Sequence, residues 1–531
     1  MEEVPVLIVG GGPVGLTASI LLSQAGIRSL LVERHPGTSI HPKARAINAR
    51  TMELYRQCGV EDAVRAAGIP HHHTGMIIWA QTLAGEEIER RIPWRATAQS
   101  GTVSPVRNCL CAQDYLEPVL RTFAEQQGPG ALRFSTEATA FEPQKDGVVV
   151  TIVDRNSGEQ QEVRAAYVIA ADGASSRVRR QLGVKMVGRE NVYDSVNILL
   201  NADLTPWTAH RPAGLYFIEN QKIRGTFLTI NATDRWGFLI NVLGPFGYTA
   251  KELTPERSAE LVRLAAGVPD LDVRILGVVP WTASALVAEQ YVHGRIFLAG
   301  DAAHEMPPTG GFGFNTGVQD VHNLAWKLAA VLKGVASPSL LETYNDERRP
   351  VGQTITEQSL ANASSMGRLE QTKKNASARP EYLNEQGMIF GANYASGAVV
   401  PDGTDEVPVA NAVTDYTPSA RPGGRAPHVW FERDGERIST IDLVGKGFAL
   451  LTGAQGRAWG EAANDIARMV QAPVTSTRID AAEFASAYDI DDDGAVLVRP
   501  DGYVAWRSRG APRDPSATLR QAMTSILGLR H

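Results

Sequence analysis

Only three cysteines, Cys58, Cys109 and Cys111, occur in 531 residues. They are too few for a disulfide framework and match no zinc or redox spacing, so the sequence points to a reducing compartment and to buried or incidental thiols. Basic residues are not in excess either. The 52 Lys and Arg stand against 58 Asp and Glu, a formal charge of −6, which argues against nucleic acid as a partner. No apolar run reaches the roughly 18 residues that a membrane helix requires, so no membrane association is expected. Met1-Glu2-Glu3 leads straight into a strand without the basic start and cleavage site of a signal peptide, and a cytoplasmic location is the expectation. Apolar residues make up 43% of the chain, whose length calls for two or three domains of roughly 100–250 residues.

The richest pattern lies at the start. VPVLIVGGGPVGLTASILLSQAGIRSLLVER reads as an apolar strand, a glycine turn, a helix stopping at Gly26 and a second strand ending at Glu33, one βαβ unit. Gly10, Gly12 and Gly15 satisfy G-x-G-x-x-G, with Pro13 and Val14 opening the helix. The first glycine permits the tight turn, the second lets a pyrophosphate approach the backbone, and the third packs helix on strand. Free amides and the positive helix end then hold the phosphates. Glu33, 18 residues after Gly15, stands where an acid meets ribose hydroxyls. This unit alone does not separate NAD from FAD.

Two later stretches bear on that choice. AAYVIAADGASSRVRRQLG is a buried strand, then Asp172-Gly173, then a basic helix start with Ser176 and Arg179. GRIFLAGDAAHEMPPTGGFGFNTGVQD is another strand ending at Gly300-Asp301, followed by a glycine-rich loop and a helix carrying Val318, Val321, Leu324, Leu328 and Leu332 at helical spacing, closed by Gly334. The first turn of that helix aims partial positive charge at the loop. A reduced flavin is negative at N1 and the C2 carbonyl, so helix-start amides suit it and glycines let the flat ring approach. Asp301 is then placed to accept from a ribityl hydroxyl.

Together GGGPVGL with Glu33, the DGASSRVR run and GDAAHEMPPTGGFGFNTGVQD resemble the three signatures of the single-component, FAD-dependent aromatic hydroxylases, the class A flavoprotein monooxygenases. ERHPGTSIHPKARAINARTMEL, QDYLEPVL, ETYNDERRP, GRAPHVW and VRPDGYVAW further resemble the branch of polyketide hydroxylases acting on tetracenomycin-type and aklavinone-type polycycles. The resemblance implies FAD, with Arg34 and Arg45 on the adenine-ribose and diphosphate side, Gln113 on the ribityl chain, Asp301 on its hydroxyls, and Pro308, Gly311, Gly313, Phe314 and Asn315 around the ring. Asp172 belongs to the second signature. It also implies an α/β architecture: a discontinuous Rossmann-like FAD domain (1–75, 105–190 and 285–360), a β-sheet substrate domain (76–104 and 191–284), a helical or linker region (361–420) and a thioredoxin-like C-terminal domain (421–531). With no Cys in that last segment, dithiol chemistry is excluded and a packing role is expected.

The function so implied is monooxygenation of a phenolic or polycyclic aromatic through a C4a-hydroperoxyflavin, with NADPH, or NADH, as transient co-substrate and O2 as oxidant. Tyr216 and Trp236 in the presumed cover sheet are candidates to line the substrate pocket; no catalytic base is assigned. Alternatives are a small-phenol catabolic hydroxylase, a Baeyer–Villiger or epoxidising enzyme on the same scaffold, and a flavin-containing binding or assembly protein. Monomer and dimer both remain open. A plain NAD dehydrogenase leaves the glycine-rich loop unexplained, and a halogenase is disfavoured by the missing W-x-W-x-I-P. Metals are not expected: His71-His72-His73 are adjacent rather than convergent, and Asp489-x-Asp491-x-Asp493-Gly494 has Pro500 where a calcium loop needs Glu. His304, beside the flavin loop, is read as structural.

Overall fold

Residues 1–71, 75–93, 97, 101–128, 130–369 and 379–529 are described in a computed structural model of the chain. His72 and His73 of the histidine run lie outside them. Glu2–Val9 pairs in parallel with Ser29–Val32 on one side and Gln160–Ala170 on the other, and the sheet extends to Ala131–Arg133 and to Ile296–Leu298. Val6, Leu7 and Ile8 are wholly buried, as a parallel strand covered on both faces must be. Helices α1 (Pro13–Gln24), α2 (Ala49–Cys58) and α3 (Gln113–Gln126) belong to this unit. All three cysteines are free and buried, and burial pushes the thiols up, Cys58 and Cys111 to about 12 and Cys109 to about 11.

A second sheet runs in the order His304–Glu305, Arg274–Ala288, Met186–Asn201, Arg235–Ile240, Arg224–Thr229, Leu215–Glu219, Ile77–Ala80, Glu87–Arg91. Strand alternation sorts its side chains. Val196, Ile198, Leu200, Ile218, Phe227, Phe238 and Ile240 face α4 (Pro255–Ala266), burying against Leu261, Val262 and Ala265. Tyr216 and Trp236 are on this face too, 1% and 2% exposed. The Tyr216 hydroxyl accepts from the Ala213 amide and donates to the Arg211 carbonyl, while Trp236 Nε1 donates to the Thr233 carbonyl. The structure thus places both candidate pocket residues in the core beneath α4, on the side away from the nucleotide unit.

The opposite face meets the nucleotide unit. Leu199 packs on Ala112 and Tyr115, and Arg235 pairs with Asp114 at 2.6 Å. Met186–Asn201 and Arg274–Ala288 are long enough to run continuously from one unit into the other, so the domain edges expected near 190 and 285 fall inside strands.

The chain then returns to the nucleotide unit as α5 (Gly313–Leu332), which packs on α1, and α6 (Thr343–Ser365). Gly317 makes that close approach possible: a Cβ there would lie 2.7 Å from both the Gly300 Cα and Val14 Cγ2.

The C-terminal sheet orders Val474–Arg478, Phe448–Thr452, Ala495–Val498 and Val504–Ser508, with only the first pair parallel. Phe448 and Leu450 face α7 (Arg457–Val470) and α9 (Pro515–Ile526); Ala449 and Leu451 face α8 (Ala482–Tyr488). This is the thioredoxin-like layering, and buried charge docks it. Glu53 accepts from Arg50 (2.9 Å), the Ser104 hydroxyl (2.7 Å) and Arg425, and Arg50 donates to the Asp501 carbonyl (2.6 Å). Arg499 joins Asp501 to Glu347, whose Oε2 also takes Lys327 Nζ at 2.7 Å.

Candidate cofactor and substrate site

The three sequence signatures converge on one cleft. Gly10 has φ +110, where a Cβ would fall 2.3 Å from the Ala171 carbonyl oxygen, next to Asp172; Gly15 lies so close that a Cβ would meet the Gly10 carbonyl at 1.9 Å. Gly12 is the N-cap of α1 without any side-chain cap, and Pro13 takes the first helical position, where no amide hydrogen is needed. A Cβ on Gly12 would meet only Glu117 Oε1, at 4.0 Å, so that side of the turn is open. Val14 touches the third signature, since a Cβ on Gly300 would be 3.0 Å from Val14 Cγ2. Arg179, buried, ties the second signature to the third by donating to the Ala302 carbonyl at 3.0 Å.

Glu33 is engaged locally. Its carboxylate accepts from the Gly11 amide (2.6 Å) and the His35 amide (2.9 Å). Arg34 is exposed beside it, lining a surface hollow with His35, Pro36 and Arg155. Arg45 donates to the Gly214 and Thr229 carbonyls, at 2.5 and 2.9 Å, which clamps the second sheet to the nucleotide unit. Gln113 opens α3, accepts from the Ala44 amide (3.2 Å) and donates to Glu117 (2.6 Å). Asp172 accepts from the Ser176 hydroxyl (2.6 Å) and the Arg177 amide (2.8 Å), capping the short helix that follows.

Asp301 differs from these carboxylates. Its side chain offers exposed surface yet is walled in by protein, the position of a group lining an interior cleft. No protein hydrogen bond to its carboxylate is found among the described residues. Burial raises its carboxyl above the ordinary range, opposed by His304 and Lys43 nearby. Gly300, at φ +61, makes the turn that projects it, and the Gly300 amide donates to Asp320 at 3.1 Å.

Asp320 was not visible as a site residue in the sequence. It also meets His304 Nε2 at 2.7 Å and Arg348 Nε at 2.9 Å, and Arg348 reaches on to the Thr316 carbonyl (3.3 Å) and the Tyr394 hydroxyl (2.9 Å). Burial alone would raise the Asp320 carboxyl, but His304 and Arg348 hold it below the ordinary range. His304 is therefore a buried strut of the loop, its Nδ1 without a hydrogen-bond partner among the described residues.

The glycine-rich loop closes the cleft. Gly310 and Gly311 have φ of +106 and +69, and the exposed Pro308 accepts from the Gly311 amide at 3.1 Å. Gly313 opens α5, whose N-cap, Phe312, has no capping side chain, so first-turn amides remain for a ligand. Phe314 is half-buried against the main core. Asn315 spends its side chain inward, donating to the Ala46 and Gly311 carbonyls (2.8 and 2.7 Å) and accepting from the Asn48 amide (3.0 Å). Arg45 and Ala46 thus link the start of α5 directly to the substrate sheet.

These residues fit an FAD: an open uncapped turn at α1 for the diphosphate, a partner-poor carboxylate at Asp301 for the ribityl chain, and an uncapped helix start at α5 for the ring. On the face turned from α4 the sheet presents two register rows. One runs Leu199, Gly237, Leu228, Leu215, Ile77; the next runs Val279, Asn197, Leu239, Thr226, Phe217, Trp79. Leu215, Leu228, Leu239 and Asn197 are only partly covered, unlike their neighbours facing α4. A small hollow of mixed lining, with Glu219, Arg224, Thr226, Asn241 and Arg368 beside Phe217, Val242 and Met366, ends the face. Among the described residues no group of His, Cys, Asp and Glu could hold a metal, and no helix is long and apolar enough to cross a membrane.

Comparison with known proteins agrees with this geometry. A family model described as FAD binding domain matches residues 3–359, and one described as aromatic-ring hydroxylase, C-terminal, matches residues 419–529. The chain is 41% identical to a 4-methyl-5-nitrocatechol 5-monooxygenase of a Burkholderia species, over 99% of this chain and 98% of the relative. It is 38% identical to a tetracenomycin A2 monooxygenase-dioxygenase of Streptomyces glaucescens, over 99% and 97%. Among solved structures, a ternary complex of aklavinone-11 hydroxylase with FAD and aklavinone superimposes with a TM-score of 0.89 at 35% identity, over 99% of each chain. The chain belongs to the FAD-dependent aromatic-ring hydroxylases, flavoprotein monooxygenases built from an FAD-binding domain, a substrate sheet and a thioredoxin-like tail.

Proposed function

We propose that the protein uses NADPH, or NADH, and O2 to hydroxylate a phenolic polycycle of the polyketide type. The observation that carries this reading is the patch of partly covered apolar side chains, Leu215, Leu228 and Leu239, on three adjacent strands of the face turned from α4. An extended apolar wall suits a flat, multi-ring substrate, and the relatives named for tetracenomycin and aklavinone act on such molecules. In the cleft, where Asp301 and the α1 turn would hold it, FAD would supply the redox chemistry of nicotinamide oxidation and oxygen activation.

The chain's own contribution is binding, orientation and dryness. Asp301 and the α1 turn would hold the cofactor, the uncapped amides of α5 would favour negative charge brought to them, and the leucine patch would exclude water from the substrate. The reading also supplies no protein base: a phenol bearing its own ionisable hydroxyl raises its own electron density. Three free thiols accord with a reducing cytoplasm.

The nitrocatechol relative supports a second reading, a hydroxylase of single-ring phenols. NADPH consumption measured with a panel running from catechol through naphthols to tetracyclic hydroxyquinones decides between them. The proposal expects stimulation that grows with ring number. A maximum at catechol favours the second reading, and an unstimulated rate across the panel points to a flavin-containing binding or assembly protein.

A further inference from the structure

Asn197 stands on the face turned from α4, flanked in register by Val279 on one side and Leu239 on the other. Leu199, two residues along the same strand and on the same face, is already sealed against Ala112 and Tyr115 of the nucleotide unit. Asn197 itself is only partly covered, as is Leu239 beside it. With Val279 exposed and Leu239 partly covered, it is a polar group between two apolar neighbours on the face of the sheet that Leu199 turns toward the nucleotide unit. Such a group is costly to desolvate unless something bonds to it.

Its orientation is fixed. Trp281 Nε1 donates to Asn197 Oδ1 at 2.9 Å, and because an indole nitrogen can only donate, the amide oxygen must be the atom turned toward it. Trp281 is held in turn by an edge contact with Tyr193, ring centroids 6.1 Å apart. The amide nitrogen, with two hydrogens, is left without a protein acceptor among the described residues. One half of the side chain is thus committed to the protein and the other half to whatever enters.

We infer that Asn197, oriented by Trp281, is a specificity residue that donates a hydrogen bond to an oxygen substituent of the aromatic substrate. This rests on the reading of the cleft as the substrate site and narrows the substrate class to aromatics carrying a phenolic or quinone oxygen on the side facing the sheet. Asn197 touches the substrate; Trp281 is a positioning residue. A site built to bond an oxygen rejects the analogue lacking it, because the amide is then buried unpaired.

The test uses FAD-loaded enzyme and follows the perturbation of flavin absorbance as 2-naphthol, alizarin, naphthalene or anthracene is titrated in. Wild type binds the two hydroxylated probes more tightly than the two hydrocarbons. Asn197→Leu weakens 2-naphthol and alizarin about tenfold, the usual size of one hydrogen bond, and leaves the hydrocarbons unchanged or tighter. Trp281→Phe keeps a ring against Tyr193 but removes the N–H, so the amide is free to flip and the preference shrinks part-way. Should Asn197→Leu fail to retain FAD, Asn197→Met, a flexible side chain that removes the donor without adding a charge, shows the same selective loss. Unchanged affinity for the hydroxylated probes, or an equal loss for all four, overturns the inference. Wild type that binds none of the four while retaining FAD overturns instead the substrate reading beneath it.

Discussion

Asp301→Ala is expected to emerge from gel filtration largely stripped of yellow colour. The reason is local. Asp301 projects into the cleft from a left-handed turn at Gly300, with its carboxylate unmatched by protein donors among the described residues, while Glu33, Asp172 and Glu117 all spend theirs on backbone or side-chain groups. A ribityl hydroxyl donating to that carboxylate makes a charge-assisted bond worth about 1.5–3 kcal/mol, so its loss raises the FAD dissociation constant roughly 10- to 150-fold. Asp301→Asn, which still accepts but carries no charge, falls between. Acidity adds an independent check. Burial raises the folded carboxyl, so protonation, and with it flavin release, sets in at higher pH than an ordinary aspartate would allow. A variant that keeps its full ratio of flavin to protein absorbance refutes the assigned role.

Glu347→Ala should be the most destabilising single change outside the cofactor cleft. Glu347 is 2% exposed and its two oxygens accept from Arg499, Lys327, Asn323 and the Ser396 hydroxyl, all within 2.8 Å. Burial alone would raise its carboxyl, but Arg499 and Lys327 hold it below the ordinary range. Removing it leaves two buried cations, Arg499 and Lys327, sharing the single carboxylate of Asp501 nearby. Breaking a buried pair in this way costs about 3–5 kcal/mol. At the roughly 2–4 °C per kcal/mol typical of units of 150–250 residues, Tm drops by about 6–20 °C. Because Arg499 and Asp501 belong to the C-terminal domain and Glu347 and Lys327 to α6 and α5, limited proteolysis should cut near the junction first. The folded carboxyl being depressed, the stability it confers is present above the ordinary glutamate value and fades only as pH falls toward the lower folded one. A melting profile indistinguishable from wild type contradicts the docking role.

What the sequence made legible, and what it hid, follows from the range of the interactions. Gly10, Gly15 and Gly300 could be read because their demand is on the local backbone, and the structure shows that demand as positive φ or as contacts no Cβ tolerates. The start of α5 was legible for the same reason. Asp320 and Arg348, by contrast, sit within helices as ordinary charged residues, and only folding brings Asp320 to the Gly300 amide. Asp501 stands in an Asp-Gly pair that the local sequence marks as a turn, with Gly502 at φ +83, yet its carboxylate also reaches Arg499 in the buried network. Tyr216 and Trp236 show a different limit. Alternation in Leu215–Glu219 and Arg235–Ile240 is plain in the sequence, but with one face covered by α4 and the other by the nucleotide unit, hydropathy cannot say which phase looks into the cleft. Leu239, one residue out of phase with Phe238 in its burial against α4, faces the other way and stays only partly covered, while Phe217 on that same face is buried against Met366 and Tyr382.

The most direct measurement is mass spectrometry of the product formed from a hydroxylated polycycle by FAD-loaded enzyme with NADPH under isotopically heavy dioxygen. A monooxygenase cleft of the kind built by Asp301, α5 and the leucine patch yields product carrying one heavy oxygen atom in place of a ring hydrogen, with one NADPH consumed for each. Product whose new oxygen comes from water, or NADPH oxidised wholly to hydrogen peroxide with every aromatic in the panel returned unaltered, contradicts it.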